Sequence, residues 1–433
     1  MAPIRRAPAN RDARLAGLIR SSAATAGDGT GYRLAWIRSA IDGRGSWLLV
    51  GLTVTFVYLA WTLLTLMQYS AQDFIHVGRS FVARSHASPL ISDYPGYRYD
   101  GDIGFDGQFN YFIALDPVNA RYYIDYPAYR YTRILYPLLA GTLGLHSPDS
   151  VANTLIAINV AMIALGILVL GAWLRRRGVS AWVAAIYGFY PGIFITLQRD
   201  TTEIVAYSLV IAAIYLYDYG PRSRLIRSAV LFSLAALTRE TTLVFAGIWG
   251  LNLLLSGEGP PAARIAVNWR KSVMFLAIAF VPLLAWKIYI LVWLGSLGLV
   301  GVLSPVPFGG VLYLLRHEVE MEQLRTVVVP AVLCLAAAII AVLARVRRVE
   351  IWALLANSLL YMTFLAPASF IDLSSSARVT IPIALAAVLA MPHLPQRSRA
   401  WFWAASALWL APMIYWILLP VQGGLKNLIV HQL

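Results

Sequence analysis

The chain has 433 residues, of which 59% are hydrophobic and only 13% charged, and its formal net charge is +14. A mean hydropathy of +0.67, with repeated apolar runs near the length of a bilayer crossing, is typical of a polytopic membrane protein and excludes a large soluble core. The single cysteine, Cys334, excludes a disulfide framework and a thiolate metal site.

The N-terminal segment, residues 1–45, is rich in arginine, alanine and glycine and contains few large apolar side chains. This composition predicts a disordered, basic, cytoplasmic tail that is held near anionic lipid. The apolar run that follows exceeds the core of a signal peptide and lacks a clean cleavage site, so we expect an uncleaved anchor. Residues 46–433 are then expected to form one transmembrane domain.

About eleven apolar runs follow one another along this domain, and each predicts a helix. They lie at about 46–68, 150–173, 179–197, 203–217, 226–238, 241–256, 272–296, 326–344, 351–369, 378–392 and 400–420. The predicted fold class is therefore all-α, a polytopic membrane helical bundle of about eleven transmembrane helices.

The distribution of charge predicts the orientation of this bundle. With a cytoplasmic N-terminus, the tail and the inner connections carry 22 of the 35 lysines and arginines but only 6 of the 21 acids, as the positive-inside rule requires. The chain is thus expected to be an integral, multi-pass membrane protein. The long first loop, residues 69–149, is expected on the non-cytoplasmic face.

The same threading collects charged residues at the outer face. Short outer connections carry Arg199, Asp200, Glu203, Arg239, Glu240, Asp372 and Arg378. Ionisable side chains beside hydrocarbon are costly unless they are paired or functional, so their restriction to one face predicts a site there. Each one taken alone is equally well explained as an ordinary ion pair. We expect no comparable acid-base pairing at the inner face.

The first loop contains the acidic stretch "YDGDIGFDGQFNYFIALDP", with Asp100, Asp102 and Asp106. Asp106 can be the cap of a short interfacial helix or a reactive carboxylate at headgroup depth. Asp100 and Asp102 flank a glycine, which is common turn chemistry and also resembles a divalent-metal pair. Further along, Arg130 and Arg133 lead into an apolar stretch too short to span, which predicts a re-entrant or interfacial helix.

Four short segments resemble one family. "FDGQFNYFIA" is similar to the Trp-Asp-(Gly/Ala)-x-x-Tyr-x-x-Ile-Ala motif of the GPI mannosyltransferase II-like proteins, which belong to the GT-C superfamily of integral-membrane glycosyltransferases. "RILYPLLAG", "RDTTEIVAYSLVIA" and "SSARVTIPIALAA" resemble later elements of that family, in the same order. The chain departs from the family pattern at Phe105, which replaces Trp, and after Arg378, where the family has Tyr.

The resemblance implies a GT-C-type bundle that transfers one sugar from a polyprenyl-phosphate donor to an acceptor at the non-cytoplasmic face. The family's catalytic first-loop aspartate corresponds to Asp106, which would act as general base with inversion. Arginine or lysine would neutralise the leaving phosphate. The predicted substrate-binding and donor-binding residues are Asp102, Gln108, Arg133, Tyr136, Arg199, Asp200, Glu203, Arg239, Glu240, Lys287 and Arg378.

Several alternatives stay open. Lys287 lies within the predicted seventh span and can instead be a snorkelling anchor, and Glu203 and Glu240 can bind sugar hydroxyls or only neutralise arginines. We expect no cofactor, with a divalent metal as the alternative. The expected partners are the donor, a saccharide, lipid or protein acceptor, and membrane lipid, but no nucleic acid. The alternative function is a polyprenyl-linked glycan flippase or transporter, which requires a polar path to both faces.

Overall fold

The computed structural model describes residues 43, 45–84, 87–221, 223–299, 304, 306–317 and 321–422. Throughout these residues the regular structure is helical and no β-strand occurs, which confirms the predicted all-α class. An isolated bridge between Val77 and Gly104 is found within the first loop. The predicted disordered tail, 1–45, lies outside the described residues apart from Gly43 and Gly45.

Five of the described helices are long and apolar enough to cross a membrane. They are Ser46–Leu66, Pro148–Arg176, Pro261–Leu294, Met321–Leu343 and Gln396–Ile417. Two bent pairs satisfy the same test together, Ala181–Gly188 with Pro191–Gln198 and Leu373–Val379 with Ile381–His393, which raises the count to seven. These helices are compatible with a multi-pass membrane protein, and the count of eleven spans stays a prediction.

The remaining apolar runs are helical as predicted, but they are short. Glu203–Tyr219 has 17 residues, Arg224–Thr238 has 15, Leu243–Leu254 has 12 and Val349–Phe364 has 16. At a rise of about 1.5 Å per residue, the longest extends about 25 Å, less than the roughly 30 Å of a hydrocarbon core. The predicted runs at 203–217 and 226–238 are themselves short, so the sequence already indicated this difference.

Proline explains where one predicted span is broken. Pro191 begins the helix Pro191–Gln198, whose axis is bent by 51° from that of the preceding Ala181–Gly188. Proline has no backbone N–H to continue the earlier helix and is favoured in the first turn of a new one. Arg199 directly follows the helix Pro191–Gln198.

The first loop folds into short helices packed against the long ones. They are Ala71–Phe74, Arg79–Val82, Pro89–Ser92, Gly107–Leu115, Ala120–Tyr122, Pro127–Tyr131 and Leu135–Leu143. The last of these confirms the short helix predicted after Arg133. The side chain of Gln108 holds the loop together, because it accepts a hydrogen bond from the Gly78 backbone N–H at 2.9 Å and donates to the Ile103 carbonyl at 2.7 Å.

The other end of the bundle carries an ion-pair cluster of its own. Arg177 lies 2.6 Å from Asp218 and 3.2 Å from Glu350, and His393 lies 3.6 Å from Glu350. These residues come from the connections that the sequence assigns to the inner face. The expectation of no acid-base pairing there was therefore wrong. Its residues are distant in sequence, and only the packing of the helices brings them together.

Candidate functional site

Asp106 stands directly before the helix Gly107–Leu115, in the N-cap position. Its side chain makes no capping hydrogen bond to that helix. Instead, its two carboxylate oxygens each lie 2.9 Å from an arginine, Oδ1 from Arg130 and Oδ2 from Arg378. The helix-cap alternative therefore does not describe this side chain, although its position in the chain does precede a helix.

The two arginines reach Asp106 from distant parts of the chain. Arg130 belongs to the helix Pro127–Tyr131 and is held by Asp125, whose oxygens accept hydrogen bonds at 2.7 and 3.0 Å. Arg378 belongs to the helix Leu373–Val379, which follows the short helix Pro367–Phe370. Both guanidinium groups are largely buried, whereas one third of the Asp106 side chain is exposed. Asp106 is thus the accessible member of this trio.

The ion pairs continue away from Asp106 through a buried glutamate. Glu203 is fully buried and lies 2.7 Å from Arg239 and 3.7 Å from Arg378. Glu203 begins the helix Glu203–Tyr219, and Arg239 directly follows the helix Arg224–Thr238, so the ends of the two helices meet at this pair. Glu203 therefore neutralises arginine here, and it also lines a narrow space of about 20 Å³ beside Asp106 and Arg378.

A second ion pair at the site is formed by Arg133 and Glu240. Arg133 donates two hydrogen bonds to Glu240, at 2.9 and 3.2 Å, in the planar fork geometry that favours carboxylate recognition. Arg133 also donates to the Tyr129 hydroxyl at 2.7 Å. Together with the groups around Asp106 this gives four arginines and four carboxylates, so the whole cluster is close to electrically neutral.

A cavity of about 170 Å³ opens beside these charges. Its lining combines charged and polar residues with apolar ones: Asp106, Tyr129, Arg133, Arg239, Glu240, Thr241, Asn357, Leu360, Tyr361, Leu365, Ala368, Ser369, Ser375, Arg378, Val379 and Pro382. A lining of this mixed kind suits a ligand that has a charged or hydroxylated part joined to a hydrocarbon part.

The arginines determine the electrostatics of Asp106. Burial alone would raise the pKa of its carboxyl group, but the positive charges of Arg130 and Arg378 outweigh burial and hold that pKa well below its ordinary value. Asp106 is consequently ionised throughout the physiological range. In this arrangement it is a weak base, and it becomes stronger if one arginine turns towards another anion.

Asp200 has the opposite environment. It is fully buried, and neither carboxyl oxygen has a hydrogen-bond partner among the described residues. Burial raises its pKa well above the ordinary value and outweighs the nearby Asn159 amide, which acts to lower that pKa. Asn159 donates to the Tyr136 hydroxyl at 2.8 Å, and Tyr136 donates to the Leu155 carbonyl at 3.0 Å. Asp200 and Tyr136 thus belong to a buried polar group of the core, and neither lines the cavity.

Arg199 and Lys287 are cations without a carboxylate partner among the described residues. Arg199 is buried, its guanidinium lies 3.8 Å from the centre of the Phe105 ring, and it contacts the Ser374 hydroxyl. Burial lowers the pKa of Arg199 to about 10, which leaves it charged at neutral pH. Lys287 is half-buried and donates to the Leu297 carbonyl at 2.7 Å. Neither side chain lines the cavity.

The "DGD" acids lie apart from the cavity lining. Asp100 lies 2.8 Å from the His76 ring nitrogen, and the exposed Asp102 uses its backbone carbonyl to accept a hydrogen bond from Ser80 at 3.0 Å. No group of three or more histidine, cysteine or acidic side chains poised for a metal occurs in the described part of the chain. The divalent-metal alternative stays a prediction.

The structure therefore brings together five of the predicted residues at the cavity wall: Asp106, Arg133, Arg239, Glu240 and Arg378. Glu203 supports them from behind, whereas Asp102, Gln108, Tyr136, Arg199, Asp200 and Lys287 lie outside the wall. Sequence reasoning missed Asp125, Tyr129 and Arg130 as site residues. Their proximity to Arg133 in the chain was the available signal, because the helix Pro127–Tyr131 leads directly to it.

No protein-family model, curated protein or solved structure matches the chain. The likeness to the mannosyltransferase-like family consequently rests on the four short sequence segments alone.

Proposed function

We propose that the protein transfers a single sugar from a polyprenyl-phosphate donor to an acceptor, with Asp106 as the general base. The observation that carries this proposal is the partly exposed Asp106 carboxylate, which lies between Arg130 and Arg378 at the wall of a cavity lined by both polar and apolar residues. This chemistry requires a carboxylate that takes the acceptor proton and arginines that bind the phosphate, and both lie together here.

In the proposed reaction the acceptor hydroxyl oxygen attacks the anomeric carbon of the donor sugar. Asp106 takes the hydroxyl proton as the new carbon–oxygen bond forms. The bond from the anomeric carbon to the phosphate oxygen breaks, and the polyprenyl phosphate leaves with the bonding electrons. Attack from the side opposite the phosphate inverts the configuration of the sugar. Asp106 afterwards loses its proton to water.

Because the cluster is close to electrically neutral, its arginines can control the basicity of Asp106 as well as bind the donor phosphate. Every arginine on the cavity wall is already paired with a carboxylate, so a donor phosphate must compete for one of them. When Arg378 turns to the phosphate, Asp106 loses one of its two cationic partners and its pKa rises. Donor binding therefore strengthens the base, and the arginine is in place when the leaving phosphate gains charge.

The test is a transfer assay with purified protein, a panel of labelled polyprenyl-phosphate sugars and a panel of oligosaccharide, lipid and peptide acceptors. We expect one donor to give a product of inverted anomeric configuration, or slow hydrolysis without an acceptor. In parallel, the protein is reconstituted in vesicles that contain a fluorescent lipid-linked glycan. Movement of that glycan between leaflets, without any transfer or hydrolysis, would replace the proposal with the flippase alternative.

A further inference from the structure

A second pocket lies beside the candidate site, in the first loop. Its volume is about 470 Å³, and it is open to the surroundings. One wall is formed by the chain from Arg121 to Tyr129, and the other by Trp293 and the turn that follows the long helix Pro261–Leu294. Tyr129 lines both this pocket and the cavity that holds Asp106. The two spaces are therefore neighbours that share the Tyr129 side chain.

The walls of this pocket combine aromatic rings with a cation. Tyr122 and Tyr126 are 52% and 62% exposed. The Arg121 guanidinium lies 4.6 Å from the centre of the Tyr122 ring and 5.1 Å from that of Trp293. Among the described residues, no carboxylate is ion-paired with Arg121. The pocket consequently offers flat apolar faces and hydrogen-bond donors next to one another.

Tyr126 adopts a backbone conformation that bulky residues avoid. Its φ of 38° and ψ of 59° lie in the left-handed region, where a residue with a Cβ atom is strained. Its backbone carbonyl accepts hydrogen bonds from Tyr129 and Arg130, and its ring stays exposed. This conformation places Tyr126 directly before the helix that carries Arg130, and it leaves the Tyr126 ring at the pocket.

We infer that this pocket binds the saccharide of the acceptor, an inference that rests on the proposed function. The C–H faces of a sugar ring are apolar and pack on aromatic rings, while its hydroxyls accept hydrogen bonds from a guanidinium or a phenol. An acceptor sugar seated against Tyr122 and Tyr126 extends past Tyr129 and brings its terminal hydroxyl towards Asp106. A lipid headgroup needs only the charge of Arg121 and does not require the Tyr122 and Tyr126 rings.

The test measures binding of detergent-purified full-length protein to a panel of soluble oligosaccharides, followed by titration of the tightest one. Tyr122→Ala removes one ring, and Tyr126→Asn removes the other with a residue that tolerates the left-handed conformation. We expect each to weaken oligosaccharide binding about tenfold, with donor binding unchanged. Tyr99→Ala, an exposed tyrosine of the same loop that lines neither pocket, should bind like the wild type.

The outcomes separate this inference from the proposed function. Loss of oligosaccharide binding in both variants supports the saccharide site, even if no sugar transfer is ever detected. If the wild type transfers sugar and both variants keep the wild-type KM for the acceptor, the pocket inference is wrong and the proposed function stands. Binding to anionic vesicles that depends on Arg121 but not on Tyr122 or Tyr126, with no oligosaccharide bound, would make the pocket a headgroup site and overturn the inference.

Discussion

Asp106 and Asp200 show how much the surroundings of an aspartate decide what it does. Both lie in short polar stretches between apolar segments, "FDGQ" and "QRDTTE", and both were predicted as site residues. The fold gives Asp106 two arginines and partial exposure, and it gives Asp200 burial beside Asn159. The partners come from positions far away in the chain, so the sequence alone could not separate the two roles.

The raised pKa of Asp200 makes stability depend on pH in a definite direction. Its pKa is higher in the folded than in the unfolded protein, so between the two values the folded state binds more protons. The free energy of unfolding then falls as pH rises above about 4, by at most about 1.4 kcal/mol per pH unit. Asp200→Asn mimics the protonated side chain and removes this dependence.

We therefore expect Asp200→Asn to be more stable than the wild type at neutral pH, by roughly 1–3 kcal/mol, with the gain shrinking towards pH 4. Denaturant unfolding in detergent across this pH range measures the difference. A variant that is less stable than the wild type at neutral pH would mean that Asp200 is a charged, paired carboxylate.

The helix Gly107–Leu115 places Asp106 through close packing at its first residue. A Cβ atom at Gly107 would lie 2.1 Å from the Arg199 carbonyl oxygen, which is far inside contact distance. Gly107→Ala must therefore push the start of the helix away from Arg199, and Asp106 moves with it. We expect a loss of about 1–3 kcal/mol in unfolding free energy and a marked fall in turnover.

The matched change is Gly247→Ala, in the helix Leu243–Leu254, where the nearest atom to a new Cβ is 3.9 Å away in Phe280. Since alanine favours helix more than glycine does, this variant should be as stable as the wild type or slightly more so. Thermal unfolding and transfer rates of both variants test the comparison. Equal behaviour of the two would show that Gly107 is not tightly packed.

The ion-pair cluster at the other end of the bundle joins residues from separate helices, Asp218 of Glu203–Tyr219 and Glu350 of Val349–Phe364, through Arg177. Asp218 accepts hydrogen bonds from Arg177 at 2.6 Å and from the Trp173 indole at 2.7 Å. Asp218→Asn leaves Arg177 incompletely paired, so we expect the unfolding free energy to fall by about 3 kcal/mol. Sugar transfer per folded molecule should stay unchanged. The exposed Glu258→Gln, which breaks no ion pair among the described residues, should change stability by less than about 0.5 kcal/mol.

At the scale of the whole molecule, the hydrophobic pattern predicted the all-α class and the helices of the apolar runs, but not most of the short helices in the first loop. Together with the distribution of charge, it also predicted that the first loop meets the connections around Arg239 and Arg378, which the ion pairs of the site bear out. The bends before Pro191 and within 373–390 were not predicted, because hydropathy does not show where an apolar run is broken into two helices. The ion-pair partner of each charged residue was also not predicted, because it depends on how helices that are distant in the sequence pack together.

The orientation of the bundle across a membrane is open to a direct labelling test. The native Cys334 is buried, so cysteines introduced at exposed positions report with little background. Ile103→Cys and Val118→Cys, in the first loop, should react with a membrane-impermeant maleimide in intact cells. Glu258→Cys and Arg347→Cys should react only after permeabilisation, as the positive-inside rule predicts. Labelling in the reverse pattern would place the candidate site on the cytoplasmic side.

The most direct test of the account is the turnover number of Asp106→Asn, measured in the transfer assay beside Asp200→Asn. Asparagine keeps the size of Asp106 but cannot take the acceptor proton, so we expect turnover to fall roughly 10²–10⁴-fold while donor binding and folding persist. Asp200→Asn should keep wild-type turnover. Near-normal turnover of Asp106→Asn, or an equal loss in both variants, would contradict the assignment of Asp106 as the catalytic base.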